Sequence, residues 1–272
     1  MKDIKNIQAR EGAHAIFLDI DGTLVAHKTL PRENVEAIAT AQAAGHKVFL
    51  NTGRSYAFIP WEVLSEIRFD GVCAGCGSQV VIGEHTLHSV VLENEFVASI
   101  ADEYKKSGKF LFIEGEQACF FVNGQAFGGT NRFLPADRYP CYEINSGSHF
   151  LNEFGNHRIS KLTYLGDSFD AKDKALWEQQ LRVIEYPTHV ESVIYGCDKA
   201  LGIKIALEAL GIPHENSIAM GDSTNDIEML EYAGISVAMG NAPDEVKKSC
   251  TYVSADASEG GVAQALYKIL GL

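Results

Sequence analysis

Two hydrophobic patterns alternate along the first and last parts of the chain. Short apolar runs are typical of buried strands, and apolar residues three or four positions apart are typical of amphipathic helices. The runs predict strands over residues 14–21, 46–52, 70–74, 217–221, 235–239 and 252–254. The helical spacing predicts helices over residues 32–44, 55–67, 198–210 and 224–232, and two more that begin at Pro243 and Ser258. Buried strands that alternate with helices predict a parallel sheet covered on both faces.

The middle of the chain follows a different pattern. Two strands joined by a short Gly-containing link predict a hairpin. The predicted elements are a helix over 94–106, strands over 110–113, 118–122, 158–165, 182–186 and 190–195, and a helix over 172–181. The sequence therefore predicts a doubly wound, Rossmann-like α/β core of residues 1–89 and 195–272. An α+β cap of residues 90–194 is predicted to be inserted into that core.

The composition of the chain limits the kinds of molecule that it is expected to bind. The chain of 272 residues has a formal net charge of −13, which argues against nucleic acid or an anionic membrane as a partner. No apolar run approaches the ~20 residues of a membrane span, and the first apolar run is too short for a secretory signal. We therefore expect a cytoplasmic protein, a monomer or homodimer. Because the average surface is negative, an anionic small-molecule substrate would be repelled by it. Such a substrate would need a site where a metal ion, a lysine and backbone N–H groups make the local potential positive.

The cysteine and histidine residues do not have the spacing typical of a metal site. Cys73 and Cys76 have the C-x-x-C form, but no second pair of matching spacing accompanies them, so we interpret both as packed thiols. His85 and His88 fall in an alternating pattern over residues 80–91, where a separation of three positions directs them to opposite faces of a strand.

Two carboxylates follow the first predicted strand, in Asp19-Ile20-Asp21-Gly22-Thr23. Ionised groups at the end of a buried strand are costly unless they hold a cation or react. Alternation directs Asp19 and Asp21 to the same side. Such a pair can act as nucleophile and general acid/base if its environment separates the two pKa values. A plain acidic turn is the alternative.

Three further segments follow predicted strands or open a helix. Thr52-Gly53-Arg54 offers a hydroxyl and backbone N–H groups for phosphate, although such a turn is often only a turn. Lys199 lies in a first helical turn, where a lysine opposes the helix dipole unless an anion faces it. Residues 221–226, Gly-Asp-Ser-Thr-Asn-Asp, supply oxygen ligands of the kind that magnesium prefers, or a simple N-cap. Because ligands bind beyond the carboxyl ends of parallel strands, we expect the segments to converge.

The four segments in this order resemble the haloacid dehalogenase (HAD) superfamily. The similarity is to its Cof-type, subfamily IIB group of sugar-phosphatase-like proteins with an α/β cap, and it covers essentially the whole chain. It extends to Gly240-Asn241-Ala242 and Glu259-Gly260-Gly261-Val262. Gly75-Cys76-Gly77 stands where the family commonly has Asn-Gly-Ala, and Ala200 stands where Gly is usual. We interpret both departures as packing changes.

The resemblance implies a role for each matching residue. Asp19 would attack phosphorus and form an aspartyl-phosphate, and Asp21 would protonate the leaving oxygen and later activate water. The implied phosphate ligands are Thr52, Gly53, Lys199 and Asn225. Magnesium would be held by Asp19, the backbone carbonyl of Asp21 and Asp222, with Asp226 as a ligand or as support behind the ligands. The resemblance therefore implies an Mg²⁺-dependent phosphatase that hydrolyses a small phosphorylated metabolite, such as a sugar phosphate.

Several alternatives stay open at this point. A phosphomutase would return the phosphoryl group to the substrate, a phospho-acceptor signalling module would keep it on Asp19, and an idle phosphosugar-binding protein would not react. The cap is expected to close over the crevice and to select the part of the substrate that is not phosphate. Within it, the polar stretch over residues 145–149 is either a substrate contact or a solvated loop.

Overall fold

The computed structural model describes residues 12–127 and 138–272, which fold into two compact units. The core unit comprises residues 12–53, Val63–His88 and Asp198–Leu272, and the inserted unit comprises Arg54–Glu62 and the described part of Ser89–Cys197. The segment Arg54–Glu62 thus groups with the inserted unit, whereas the predicted core ran without a break to residue 89.

The core unit is built around one eight-stranded sheet. Its strands are β1 (Ala15–Leu18), β2 (Lys47–Asn51), β3 (Gly71–Ala74), β4 (Gln79–Ile82), β5 (His85–Ser89), β12 (Ser217–Gly221), β13 (Ile235–Ala238) and β14 (Tyr252–Val253). The order across the sheet is β14-β13-β12-β1-β2-β3-β4-β5. The pairs from β14 to β3 are parallel, and β4 runs antiparallel to β3. The doubly wound α/β class predicted from the alternating pattern is confirmed.

Helices complete the core unit. They are α1 (Arg32–Ala43), α5 (Lys199–Leu210), α6 (Ile227–Tyr232), α7 (Asp244–Ser249) and α8 (Gly261–Leu270). All four side chains of β1 are fully buried, and Phe17 stacks on Phe49 of β2 at 5.0 Å between ring centroids. Ile203 of α5 and Met229 of α6 belong to the same apolar cluster as Phe17. This dry packing fixes the position of the last residue of β1, directly before Asp19.

The inserted unit has a six-stranded sheet of order β10-β11-β9-β6-β7-β8. Its strands are β6 (Leu111–Gly115), β7 (Cys119–Val122), β8 (Cys141–Glu143), β9 (Ile159–Tyr164), β10 (Leu181–Glu185) and β11 (Val190–Ile194). Its helices are α2 (Asn94–Ser107), α3 (Gly147–Phe154) and α4 (Ala171–Trp177). The predicted hairpin is confirmed, because β6 and β7 pair antiparallel with Phe112 opposite Phe121.

Two predicted elements are wrong. The helix over 55–67 is replaced by a 3₁₀ helix, Tyr56–Phe58, followed by an extended Ile59. The cause is Pro60, which disfavours helical geometry at the residue before it. The single strand over 80–91 is instead β4 and β5, because Gly83 adopts a positive φ of 59° at the turn between them.

The polar stretch over residues 145–149 is not a solvated loop throughout, because α3 begins at Gly147 within it; its contact with substrate stays a prediction. The Ser146 hydroxyl accepts a hydrogen bond from the His149 backbone N–H at 3.0 Å and caps α3, which the sequence analysis missed. The apolar spacing of Phe150, Leu151 and Phe154 after a serine is the signal that could have predicted it. Within the described ranges, no helix is both long and apolar enough to cross a bilayer.

Candidate active site

The site is built where two central strands end side by side. Leu18 of β1 pairs with Met220 of β12, and the Asp19 backbone N–H donates to the Met220 carbonyl at 3.1 Å. The two acidic segments therefore leave the same edge of the sheet next to each other. Thr52 and Gly53 follow β2, the other neighbour of β1, and so end at this edge as well.

A buried lysine joins two of the acidic residues. Lys199 Nζ donates to Asp19 Oδ1 at 2.7 Å and to Asp226 Oδ1 at 2.5 Å. Asp19 is 6% exposed, Lys199 1% and Asp226 not at all. The lysine that opposes the dipole of α5 thus faces two anions, as the sequence analysis required. Charge-assisted hydrogen bonds of this length are among the strongest in proteins.

Burial and crowding shape the electrostatics of these groups. Burial raises the pKa of the Asp19 carboxyl, and the Lys199 ammonium opposes this rise. Burial also lowers the pKa of Lys199, but Asp19 and Asp226 outweigh it, so the lysine stays charged. Burial raises the pKa of Asp222 to about 6, with a further contribution from Asp226. The site holds more negative charge than Lys199 alone can neutralise.

Asp226 supports the site from behind. Its Oδ2 accepts hydrogen bonds from the backbone N–H groups of Asp222 and Ser223, each at 2.9 Å. Its Oδ1 receives Lys199. Both carboxylate oxygens are therefore engaged within the protein. Glycine is needed directly before this turn, because a Cβ at Gly221 would lie 2.6 Å from Asp226.

The acidic residues fit a divalent cation. One carboxylate oxygen from each of Asp19, Asp222 and Asp226 lies within 4.8 Å of the others. The donors are hard oxygens, and their negative charge exceeds the single lysine, which suits magnesium. Asp21, two positions after Asp19, is exposed in the loop that follows β1. The residues present therefore fit an oxygen-coordinated cation.

The remaining predicted residues lie at the same edge of the sheet. Thr52 is 1% exposed, and its carbonyl accepts a hydrogen bond from the Cys76 N–H at 3.0 Å. Asn225 lies in the turn after β12, where its Oδ1 accepts from the Ser223 hydroxyl at 2.7 Å. Cys73 and Cys76 are both buried, in agreement with the packing interpretation.

Sequence reasoning missed two asparagines. Asn51 is fully buried, and its Nδ2 donates to the Lys199 carbonyl at 2.9 Å, which ties the end of β2 to the start of α5. Asn241 Nδ2 donates to the Gly22 carbonyl at 2.8 Å. The signal for Asn241 was the Gly-Asn-Ala pattern, which carried no role by itself. Asn51 has no sequence signal, because only the fold brings it to a residue 148 positions away.

The chain matches the family model of haloacid dehalogenase-like hydrolases over residues 16–266. A 5-amino-6-(5-phospho-D-ribitylamino)uracil phosphatase of Bacillus subtilis, YitU, is 44% identical over 272 residues, with 95% of this chain and 98% of that protein covered. The pyridoxal phosphate phosphatase YbhA of Escherichia coli is 27% identical over 287 residues, with 94% and 98% covered.

Solved structures share the architecture. A structure of an HAD subclass IIB sugar phosphatase is 28% identical, with a TM-score of 0.77, and covers 93% of this chain and 98% of its own. This likeness extends over nearly the full length of both chains and so covers both units.

Proposed function

Because this chain belongs to the haloacid dehalogenase-like hydrolase family, we propose that it is an Mg²⁺-dependent phosphatase that works through an aspartyl-phosphate on Asp19. The substrate is a small phosphorylated metabolite, and the site of action is the cytoplasm. One observation supports this most strongly: the buried Asp19 carboxylate lies 2.7 Å from Lys199, beside the carboxylates of Asp222 and Asp226.

The protein's own groups divide the chemistry. An Asp19 oxygen forms a bond to phosphorus while the ester P–O bond breaks, and Asp21 gives its proton to the leaving oxygen. Asp21 then takes a proton from the water that attacks the phosphorus of the aspartyl-phosphate. Cleavage of that P–O bond releases phosphate and restores Asp19. The two carboxylates thus take separate roles, and the Lys199 ammonium, 2.7 Å away, favours the ionised form that Asp19 needs as a nucleophile.

Charge neutralisation is the other requirement of phosphoryl transfer. Lys199 supplies a fixed positive charge to the phosphoryl oxygens, and Thr52, Gly53 and Asn225 supply hydrogen bonds. A magnesium ion, held by Asp19, the Asp21 carbonyl and Asp222, supplies further positive charge when it is bound. Asp226 holds Lys199 and the turn after β12 in place through the contacts of its two oxygens.

The names of the relatives suggest where to look for the substrate. YitU is named for a ribitylaminouracil phosphate, YbhA for pyridoxal phosphate, and the solved neighbour for a sugar phosphate. Polyol and sugar phosphates are therefore our first substrate class. Residues 90–194 remain the proposed element that selects the leaving group.

The test is phosphate release from a panel of esters by wild type and Asp19→Asn. The panel contains 5-amino-6-(5-phospho-D-ribitylamino)uracil, pyridoxal 5′-phosphate, phosphoglycolate and hexose phosphates. We expect turnover with magnesium, none with EDTA, and a loss of about three orders of magnitude or more in the variant. Phosphate transfer to a second hydroxyl without net release would favour a phosphomutase instead. A stable phosphoprotein without turnover would favour a phospho-acceptor module.

A further inference from the structure

Asn241 connects three separate loops of the core unit. It follows β13, and its Nδ2 donates to the Gly22 carbonyl in the β1 loop at 2.8 Å. The same Nδ2 lies 3.4 Å from Asp222 Oδ2 in the β12 loop. Its Oδ1 accepts from the Ala257 N–H at 2.9 Å. A single exposed side chain therefore contacts both acidic loops and the turn before α8.

The orientation of the Asn241 amide follows from its partners. A backbone N–H can only donate, so the atom that faces Ala257 must be the amide oxygen. The NH₂ group must then point to the Gly22 carbonyl and to the Asp222 carboxylate, both of which only accept. The hydrogen-bond network thus admits one orientation of the amide.

Asp222 receives a donor on each oxygen. The Thr23 hydroxyl, which is fully buried, donates to Asp222 Oδ1 at 3.0 Å, and Asn241 approaches Oδ2. The β1 loop comes so close that a Cβ at Gly22 would lie 2.3 Å from Asp222 Oδ2, and Gly22 has a positive φ of 77°. The carboxylate is therefore held in one orientation from two sides.

We infer that Asn241 is a positioning residue for the divalent cation, acting together with Thr23. It holds the Asp222 carboxylate and the Asp21–Gly22 turn in the geometry that the cation needs, without being a ligand itself. This inference rests on the proposed function. Hydrogen-bond partners of metal ligands typically change metal affinity by about 10- to 100-fold when they are removed.

A purely structural role is the competing explanation, because Asn241 also holds the turn before α8. Gln264 offers a matched control for that role. Its Oε1 accepts from the Ala255 N–H at 2.9 Å, in the same segment of chain, and this hydrogen bond involves neither Gly22 nor Asp222. Removing Gln264 loosens that segment and leaves the acidic loops as they are.

The experiment measures magnesium binding to the full chain by calorimetry, and manganese binding by electron paramagnetic resonance, without substrate. The variants are Asn241→Ala, Thr23→Val and Gln264→Ala. We expect the magnesium dissociation constant to rise about 10-fold or more in Asn241→Ala and in Thr23→Val, and less than about twofold in Gln264→Ala. For Asn241→Ala, saturating magnesium should restore kcat to within a few-fold, since no reacting group is lost.

The outcomes separate the two proposals. Wild type that binds neither metal would overturn both this inference and the metal dependence of the proposed function. Wild-type affinity retained in Asn241→Ala would overturn the inference alone. An equal loss in Gln264→Ala would show that Asn241 acts through the turn, and would overturn it too. If Asn241→Ala fails to fold, unchanged affinity in Thr23→Val would overturn the joint role.

Discussion

At the scale of single residues, Lys199 depends on its neighbours in two ways. It lies in the first turn of α5, where the helix dipole disfavours it, and it is almost completely buried. Asp19 and Asp226 offset both costs through hydrogen bonds of 2.7 and 2.5 Å. The same ion pairs that hold the proposed nucleophile therefore also stabilise the folded core unit.

Lys199→Met should lower both activity and stability. The variant leaves two buried carboxylates close together without a cation, and breaking a buried pair in this way costs about 3–5 kcal/mol. Urea unfolding in EDTA measures the change. Lys204→Met is the control on the same helix, because Lys204 is exposed and only lies over the Tyr232 ring. Equal stability of the two variants would contradict the prediction.

Two histidines at the start of β1 and β2 make stability depend on pH. Burial lowers the pKa of His14, and burial together with His14 lowers that of His46. His46 Nδ1 accepts from the His14 backbone N–H at 3.1 Å, a contact that needs the neutral ring. Both groups therefore favour the fold when neutral.

The sign of this dependence follows from the depressed pKa values. The contribution is fully present above the unfolded value of 6.5 and is lost as pH falls through the lower folded value. We expect the free energy of unfolding to drop by up to about 1.4 kcal/mol per pH unit for each histidine as the pH falls from 6.5 towards the lower folded pKa. His14→Phe should flatten the profile between pH 7 and pH 5. A flat wild-type profile would contradict the prediction.

At the scale of elements, the hydrophobic pattern predicted most buried strands to within one or two residues, although the first was predicted to residue 21 and β1 ends at Leu18. β12 has the predicted bounds, 217–221, because every position in it is buried and its ends are marked by a turn on each side. The pattern failed where one residue overrides periodicity, as Pro60 does in the predicted helix over 55–67. It also missed β8, a strand of three residues, two of them exposed, which carries too little apolar sequence to be recognised.

The residues of the site also fall into those that the sequence pattern could place and those that it could not. Strand ends are readable from sequence, so Asp19, Thr52 and Asp222 could be placed at one edge before the fold was known. Contacts made only by the tertiary structure could not be predicted. The amide of Asn241 reaches a carbonyl 219 positions earlier in the chain, and no local pattern encodes that approach.

An ion pair between two strands of the inserted unit gives a further prediction. Lys161 of β9 donates to Glu191 of β11 at 2.7 Å, with the lysine side chain 5% and the glutamate 21% exposed. Burial raises the pKa of Glu191, but Lys161 and His189 outweigh it, so the carboxylate stays charged. Lys161→Met should therefore cost about 3–5 kcal/mol, because a largely buried carboxylate loses the lysine that lies 2.7 Å from it.

A double variant separates the contribution of the ion pair from the cost of burying one unpaired charge. Lys161→Met with Glu191→Leu should recover most of the loss, since two apolar side chains can replace a buried ion pair at little cost. Lys174→Met is the control, because its pair with Glu185 is exposed and exposed pairs contribute little. Thermal and urea unfolding measure all three variants, and a double variant as unstable as Lys161→Met would count against this explanation.

At the scale of the whole molecule, the net charge of −13 means that a bound cation reduces the repulsion among negative charges in the folded protein. Magnesium that binds only the folded core unit should stabilise it by about 2.7 kcal/mol at 100 times its dissociation constant. Calorimetric scans with magnesium and with EDTA measure the shift in Tm, and sodium chloride of equal ionic strength controls for screening. Asp222→Asn should lose most of the shift. A shift of equal size in that variant would place the cation elsewhere.

The pairing of β1 with β12 also governs when the protein becomes active during its synthesis. Thr23 and Asp222 form one hydrogen bond across 199 positions of chain. At about 5–20 residues per second, a ribosome needs roughly 10–40 s to make the stretch between them. For most of that interval the segment that carries Asp19 has been made but Lys199, Asp222 and Asp226 have not, so the acidic edge of the sheet is incomplete. We therefore expect a nascent or prematurely released chain to be inert towards phosphate esters until the strand that lies beside β1 has been made.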